Sequence, residues 1–353
     1  MITGIFPLTL TLLCIESAVL YIAGRPRFKK YFSILPPVFW IYLVPMLASN
    51  AGIIPASHPL YSFISANLLP AALILLLISC DIKSILKLGK PALIMMLAGS
   101  LGIMAGIPLV FSFMRYWVGN DMWSGFGALS GSWIGGSANM IAVKEAVNTP
   151  DAVFMPMVIV DTIVPYAWMG VLIAGASFQK RYDSWNRSNT SILQGLTIDT
   201  ADTGTSGSES LRPSAAAVLL FITVSGVLLS AFVSGRLPVV KDIISRYTWI
   251  IITSSLFGIA VSFTPAKELA NRGASGLGYF LLYFVLVSIG ARASCADLNI
   301  AFLLVLSGCL VVLFQAAVLI VTGRVIKAPL SLLAAASQAN IGGAASAPVV
   351  AGI

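Results

Sequence analysis

Apolar and polar positions alternate along the chain in long blocks. Apolar segments run at roughly 2–24, 32–54, 60–80, 91–117, 124–147, 150–176, 214–234, 247–264, 274–291, 298–322 and 329–353. Each is long enough to cross about 30 Å of hydrocarbon as a helix. The pattern predicts an all-α polytopic membrane protein of about ten to eleven hydrophobic segments. The polar interval 177–213 interrupts it most strongly, and its stretch Thr200–Ser210 (TADTGTSGSES) has no apolar anchor. Such a composition predicts a flexible linker between two halves.

The halves resemble one another. Ala128–Val143 (ALSGSWIGGSANMIAV) and Ala335–Val350 (AASQANIGGAASAPVV) are identical at seven of sixteen positions, at an offset of 207. Upstream, Asp81 in ISCDI pairs with Asp297 in ASCADL at an offset of 216. The expected organisation is a first membrane repeat at 1–176, a polar linker at 177–213 and a second membrane repeat at 214–353. The repeat also predicts a further span after Ile353, the counterpart of 150–176.

Composition narrows the class. Hydrophobic residues make up 58% of the chain, charged residues 10%, and the mean hydropathy is +0.95. Soluble domains carry about 25% charged residues, so a water-soluble fold is excluded. The net charge of +8 is spread between apolar spans, which reads as membrane topology and predicts no nucleic-acid partner. Four scattered cysteines and the single His58 support neither a disulfide framework, a metal cluster nor a histidine-assisted triad. The first 24 residues lack a basic start and a small-residue exit, which predicts a retained helix and not a cleaved signal.

Cations predict orientation. Arg25, Arg27, Lys29, Lys30, Lys83, Lys87 and Lys90 follow odd-numbered segments, which places those loops in the cytoplasm. If every segment crossed once, the second half would carry eight cations outside and four inside. One non-crossing element restores the rule, and 124–147, with arms flanking a Gly-Gly pair, is the candidate. A re-entrant or broken element there would make the two repeats inverted, with the linker cytoplasmic.

The candidate chemistry gathers at the two IGG segments and one acid. Gly135, Gly136, Ser137 and Asn139, and Gly342, Gly343 and Ser346 with Gln338 and Asn340 just before them, combine helix-weakening glycines with hydrogen-bonding side chains. A helix break frees backbone N–H and C=O groups inside the bilayer, where protein, water, ion or substrate must satisfy them. Close helix packing through small residues is the competing reading. Asp161 stands mid-span in FMPMVIVDTIVPYAWMGVL beside Thr162. An intramembrane carboxylate costs about 2.5–3.5 kcal/mol on insertion scales and normally faces a cavity. Asp161, Thr162 and Asn139 are the candidate Na⁺ ligands, and a protonated Asp161 would instead carry H⁺. The competing reading is a neutral Asp bonded to a neighbouring helix.

Other charges read more simply. Glu16, inside the first span and close to Arg25, is read as a structural or interfacial partner at least as readily as a transport residue, and Lys144 and Glu145 as the solvated end of an amphipathic arm, with lining a vestibule as the lesser alternative. Arg292 is the one hint of an anionic solute, against snorkelling to the interface. Asp81 and Asp297 are read as structural caps.

GSWIGGSANMIAVKEAV, VIVDTIVPYAW and QANIGGAASAPVVA resemble the YjcL-like family of polytopic membrane proteins of unknown function, over nearly the whole chain. That family is thought to belong with the bile acid:sodium symporters, cation/proton antiporters and sodium-coupled carriers. The resemblance implies a two-domain elevator carrier with paired broken elements and a dimerising scaffold, hence a homodimer. It places Gly135, Gly136, Ser137 and Asn139 on the first broken element, Asp161 on the next helix, and Asn340, Gly342, Gly343 and Ser346 on the second.

The function these features predict is a secondary active transporter, not an enzyme, that couples Na⁺ or H⁺ to a small solute in a bacterial plasma membrane, without a cofactor. A cation/proton antiporter is the alternative. An intramembrane enzyme, a channel or a non-transporting sensor fits less well, because the acids are isolated.

Overall fold

Hydrocarbon offers no partner for a backbone N–H or C=O, so apolar segments close their own hydrogen bonds as helices. The computed structural model describes residues 2–35, 37–79, 89–189, 213–240, 244–267, 273–293 and 301–342. Its helices are α1 (Ile5–Ala23), α2 (Lys29–Ile34), α3 (Pro37–Asn50), α4 (Pro59–Ile78), α5 (Lys90–Val118), α6 (Trp123–Gly135) and α7 (Ser137–Ala146). There follow α8 (Asp151–Gly175), α9 (Gln179–Asn186), α10 (Pro213–Ser234), α11 (Arg246–Ser262), α12 (Ala274–Arg292), α13 (Ala301–Ile326) and α14 (Leu330–Ile341). The described residues contain no strand, only one isolated bridge between Val240 and Ile244. Even hydroxyls follow the backbone rule: Thr9 Oγ1 donates to Ile5 O at 2.8 Å and Ser112 Oγ to Pro108 O at 2.7 Å.

Among the described residues, seven helices are long and apolar enough to cross a bilayer: α1, α4, α5, α8, α10, α12 and α13. The eleven segments exceed that number for local reasons. The segment 32–54 is divided, with Pro37 opening α3; 124–147 divides at Gly136; α11 has 17 residues; and α14 is a 12-residue helix within the described residues. Large apolar side chains such as Phe6, Leu97, Phe113, Leu220, Phe221 and Phe302 are exposed on these helices. A lipid-facing surface requires just that.

The chain forms two compact units. The first comprises Met1–Asp81, Ile141–Met155 and Thr205–Asp297; the second comprises Ile82–Met140, Pro156–Gly204 and Leu298–Ile353. Each unit therefore draws helices from both halves of the sequence. The offset of 207 carries Trp123 onto Leu330 and Gly135 onto Gly342, so α6 and α14 occupy corresponding places. Within the interval 177–213, Gln179–Asn186 is helical, whereas Thr200–Ser210 lies outside the described residues.

In the first unit α4 is the hub, packed by α10, α11 and α12. Ile74, Leu75 and Ile78 meet Leu219 and Ala274 in its core. Gly258 of α11 and Gly278 of α12 sit where a Cβ would come within 3.2 Å of Ile74, Leu75, Leu76 or Leu77. Small residues matter here because lipid supplies no hydrophobic drive between helices, leaving van der Waals contact to hold them. In the second unit α5 and α13 pack along their length, with Gly102 against Gln315 and Gly106 against Phe314.

Candidate functional site

The first break is set by backbone geometry. Gly136 has φ +84° and ψ −179°, a region open essentially to glycine alone, and it separates α6 from α7. Its N–H still donates to Ser132 O at 2.6 Å, and its carbonyl accepts from Asn139 N at 3.0 Å and Met140 N at 3.1 Å. The N–H and C=O of Gly136 itself are thus both paired with neighbouring backbone. Ser137 is half-buried, while Gly135 and Asn139 are exposed, with the Asn139 side chain lying over the Gly135 Cα.

Asp161 sits on α8, half-buried, in the second unit. The Ser132 hydroxyl and the Trp133 indole of α6 approach its carboxylate, and the indole N–H makes no well-formed hydrogen bond among the described residues. Thr162 is buried and turned back on its own helix, where Oγ1 donates to Val158 O at 2.8 Å. Among the described residues no hydrogen bond joins Asp161 to Asn139 or to Thr162. The neighbours of the acid are therefore Ser132 and Trp133, which the sequence reading did not single out.

One α-helical turn and more beyond Asp161, α8 reaches α14. Gln338 Nε2 donates to Pro165 O at 3.4 Å, and Trp168 Nε1 donates to Ser337 Oγ at 2.9 Å. Pro165 matters locally: a proline leaves the carbonyl one turn earlier without its helical donor and disturbs the ladder around it. Ser337 Oγ in turn donates to Gln315 Oε1 of α13 at 2.7 Å, and Asn340 Nδ2 donates to Ser100 Oγ of α5 at 2.9 Å. Gln315, Ser337, Gln338 and Asn340 are each at most 2% exposed. Gln315 Nε2 and Asn340 Oδ1 have no hydrogen-bond partner among the described residues.

Both atoms converge on Gly99. A Cβ there would fall 2.5 Å from Asn340 Oδ1 and 3.2 Å from Gln315 Nε2. One unpaired donor and one unpaired acceptor thus pack closely against Gly99, where only the absence of a side chain lets them approach. A buried polar atom left unpaired costs about 1–3 kcal/mol, so a fold retains two together where something else pairs with them. The second glycine pair is partly visible: Gly342 caps α14, its N–H donating to Gln338 O at 2.8 Å. Gly343 and Ser346 lie outside the described residues, as do Asp81 and Asp297.

Gln315 and Ser100 were missed by sequence reading. The signal was present, since Gln315 stands alone in LLVLSGCLVVLFQAAVLIV, an intramembrane polar residue of the kind that singled out Asp161. Glycine-rich α5 gave no comparable cue.

Three charged residues depart from expectation. Lys144 is 4% exposed and not solvated: in the first unit its Nζ lies 3.0 Å from Glu145 Oε1 and 3.0 Å from Asp151 Oδ1. Arg292 Nε lies 3.2 Å from Asp151 Oδ2, and its Nη2 3.6 Å from Glu145 Oε1. Arg292 thus shares both carboxylates with Lys144 and is already paired, which removes it as the expected contact of an anionic solute. Glu16 is fully buried, both oxygens unpartnered among the described residues, while Arg25 stacks on Tyr21 at 4.3 Å.

Apolar helices of spanning length around a buried polar centre define a multi-pass, all-helical integral membrane protein. The chain belongs to the family described as protein of unknown function DUF819, whose model matches residues 11–353. It is also 25% identical over 324 residues to "Uncharacterized membrane protein YjcL" of Bacillus subtilis (strain 168), an alignment spanning 87% of this chain and 78% of that protein.

Proposed function

We propose that the protein is a secondary active transporter, in which the second unit binds a small polar solute together with a coupling cation. The observation that carries this reading is the pair of buried, unpaired amide atoms, Gln315 Nε2 and Asn340 Oδ1, brought together against Gly99. One donor and one acceptor suit a neutral polar or zwitterionic group better than a bare anion. Asp161 is the cation site, with the Ser132 hydroxyl beside its carboxylate. Ionised, this pair offers the oxygen ligands that a hard cation such as Na⁺ prefers; protonated, Asp161 carries H⁺. Helix α8 holds both functions, since Asp161 lies on the same rod as Pro165 and Trp168, which bond α14.

Coupling then has a mechanical basis: occupation of Asp161 and the pose of α14 are linked through one helix. The correspondence of α6 with α14 suits a carrier built from two repeats in inverted orientation, exchanging access between the two sides in an elevator movement. The kinship with sodium symporters and cation/proton antiporters that the motifs suggest points the same way.

Thermal unfolding of purified protein tests the cation assignment. Na⁺ should raise the midpoint relative to choline at matched ionic strength, because a ligand bound only by the folded state stabilises it. Asp161→Asn should abolish the rise while leaving the protein folded. No Na⁺ effect in the wild type, but a pH-dependent midpoint lost in Asp161→Asn, assigns H⁺ instead. A Na⁺ effect unchanged in Asp161→Asn moves the cation site elsewhere.

A further inference from the structure

The helical run Asp151–Asn186 has 36 residues, about 54 Å at 1.5 Å per residue. The hydrocarbon core is only about 30 Å thick, so a run of this length emerges into the headgroup layer. Its last segment, α9, is built as a fixed platform on the second unit. Asn186 Nδ2 donates to Ala328 O at 2.8 Å and to Gly323 O at 3.3 Å, and Asp183 Oδ1 accepts Leu330 N at 3.0 Å. Arg324 Nη1 donates to Trp185 O at 2.6 Å while its guanidinium stacks 4.4 Å from the Trp185 ring. Tyr182 packs on the core that includes Leu332 and Leu333.

What this platform presents outward is basic and aromatic. Lys180, Arg181, Arg187, Arg324 and Lys327 are all exposed, and Asp183, the one acid among them, is already engaged by Leu330 N. Phe178 and Trp185 are 60% and 57% exposed, as aromatic residues are at a membrane interface. Phe178, Arg181, Tyr182 and Trp185 line an open cleft of about 360 Å³, and the buried Tyr182 Oη has no hydrogen-bond partner among the described residues. At the start of α9, beside Gln179, lies an apolar cleft of about 160 Å³ between Val171 and Leu172 of α8 and Leu330 and Ala334 of α14.

We infer that this face is a binding site for an anionic phospholipid. Arg181, Arg187 and Lys327 meet the headgroup phosphate, Phe178 and Trp185 flank the glycerol region, and an acyl chain has the apolar cleft available. Charge complementarity selects the occupant: five exposed cations against the single carboxylate of Asp183, at the headgroup level, attract anionic lipid over zwitterionic lipid. Bidentate guanidinium–phosphate pairing adds geometry to the field. The inference is independent of the proposed transport activity.

Fluorescence of Trp185 tests it. The full chain is placed in nanodiscs containing phosphatidylglycerol or phosphatidylcholine with brominated acyl chains, and the signal of Trp185→Phe is subtracted. Brominated phosphatidylglycerol should quench the Trp185 component at least twofold more than brominated phosphatidylcholine at equal mole fraction. The combined variant Arg181→Gln, Arg187→Gln, Lys327→Gln should reduce quenching to the phosphatidylcholine level, whereas Arg181→Lys with Arg187→Lys should retain most of the preference. Equal quenching by both lipids in the wild type overturns the inference, even if the triple variant fails to fold. So does a preference that survives in a folded triple variant. Displacement of the lipid by millimolar inorganic phosphate would mean a site for soluble phosphate and overturns it as well.

Discussion

Trp168 Nε1 donates to Ser337 Oγ at 2.9 Å, and this bond joins the helix that carries Asp161 to the helix that carries Asn340. Residues 169 positions apart in sequence thereby become one polar relay, because Ser337 passes its own hydrogen on to Gln315 Oε1. Relays of this kind are cooperative in a low-dielectric interior and costly to interrupt midway.

Interrupting the relay at different points should cost different amounts. Trp168→Phe removes one donor and leaves Ser337 bonded to Gln315, a loss of about 1 kcal/mol. Ser337→Ala strands both the indole N–H and Gln315 Oε1, and about 1–3 kcal/mol is expected for each group left unpaired. Chemical denaturation in mild detergent should therefore rank Ser337→Ala clearly below Trp168→Phe in stability. The opposite order would mean that the relay is not formed.

Gly99→Ala places a methyl group between Asn340 Oδ1 and Gln315 Nε2, and Asn340 can yield only by giving up its 2.9 Å bond to Ser100. Overpacking of this kind costs about 1–3 kcal/mol. Any stabilisation by added solute should vanish as well, since the methyl occupies the proposed binding space. Thermal unfolding with and without a panel of small polar solutes reads both effects.

At Gly136 the constraint is conformational and not steric. Nothing lies within 4 Å of a Cβ built there, yet its φ of +84° disfavours any side chain. Gly136→Ala should lose about 1–3 kcal/mol. Gly127→Ala, inside α6 and equally open around its Cβ, should be neutral or should gain up to about 1 kcal/mol. Parallel unfolding curves for the two variants separate a backbone requirement from mere smallness.

The Lys144 network predicts an asymmetry between its two cations. Lys144 is 4% exposed and bridges Glu145 and Asp151, whereas Arg292 is 22% exposed and stands at 3.2 and 3.6 Å from the same acids. Lys144→Met removes a buried cation from two half-buried carboxylates, leaves Arg292 as their remaining partner, and should cost up to about 3 kcal/mol. Arg292→Gln should cost less, because water reaches its position. Unfolding midpoints of the two variants at low and high salt check this, with little salt dependence expected for the Lys144 variant.

The spans, the all-helical class and the Gly-Gly interruption at 135–136 were legible in the sequence for one physical reason. A bilayer forces backbone satisfaction within each segment, so apolar runs must be helices, and a Gly-Gly pair weakens a helix wherever it lies. Asp161 was legible too, since a charge in an apolar run is conspicuous without knowing its neighbours. Its neighbours were not: Ser132 and Trp133 belong to a different helix, and nothing local to VIVDTIV names them. Lys144 and Glu145 looked like a solvated helix end because their burial depends on Asp151 and Arg292, and Arg292 arrives from nearly 150 positions away. Gln315, Ser100 and Gly99 acquire meaning only when α5 and α13 pack along their length and α14 lays Ser337 and Asn340 against them. Segment-level structure follows from interactions between each residue and the bilayer, which a sequence displays directly; pairing of polar groups depends on which helices share a unit, and that was decided by tertiary packing alone.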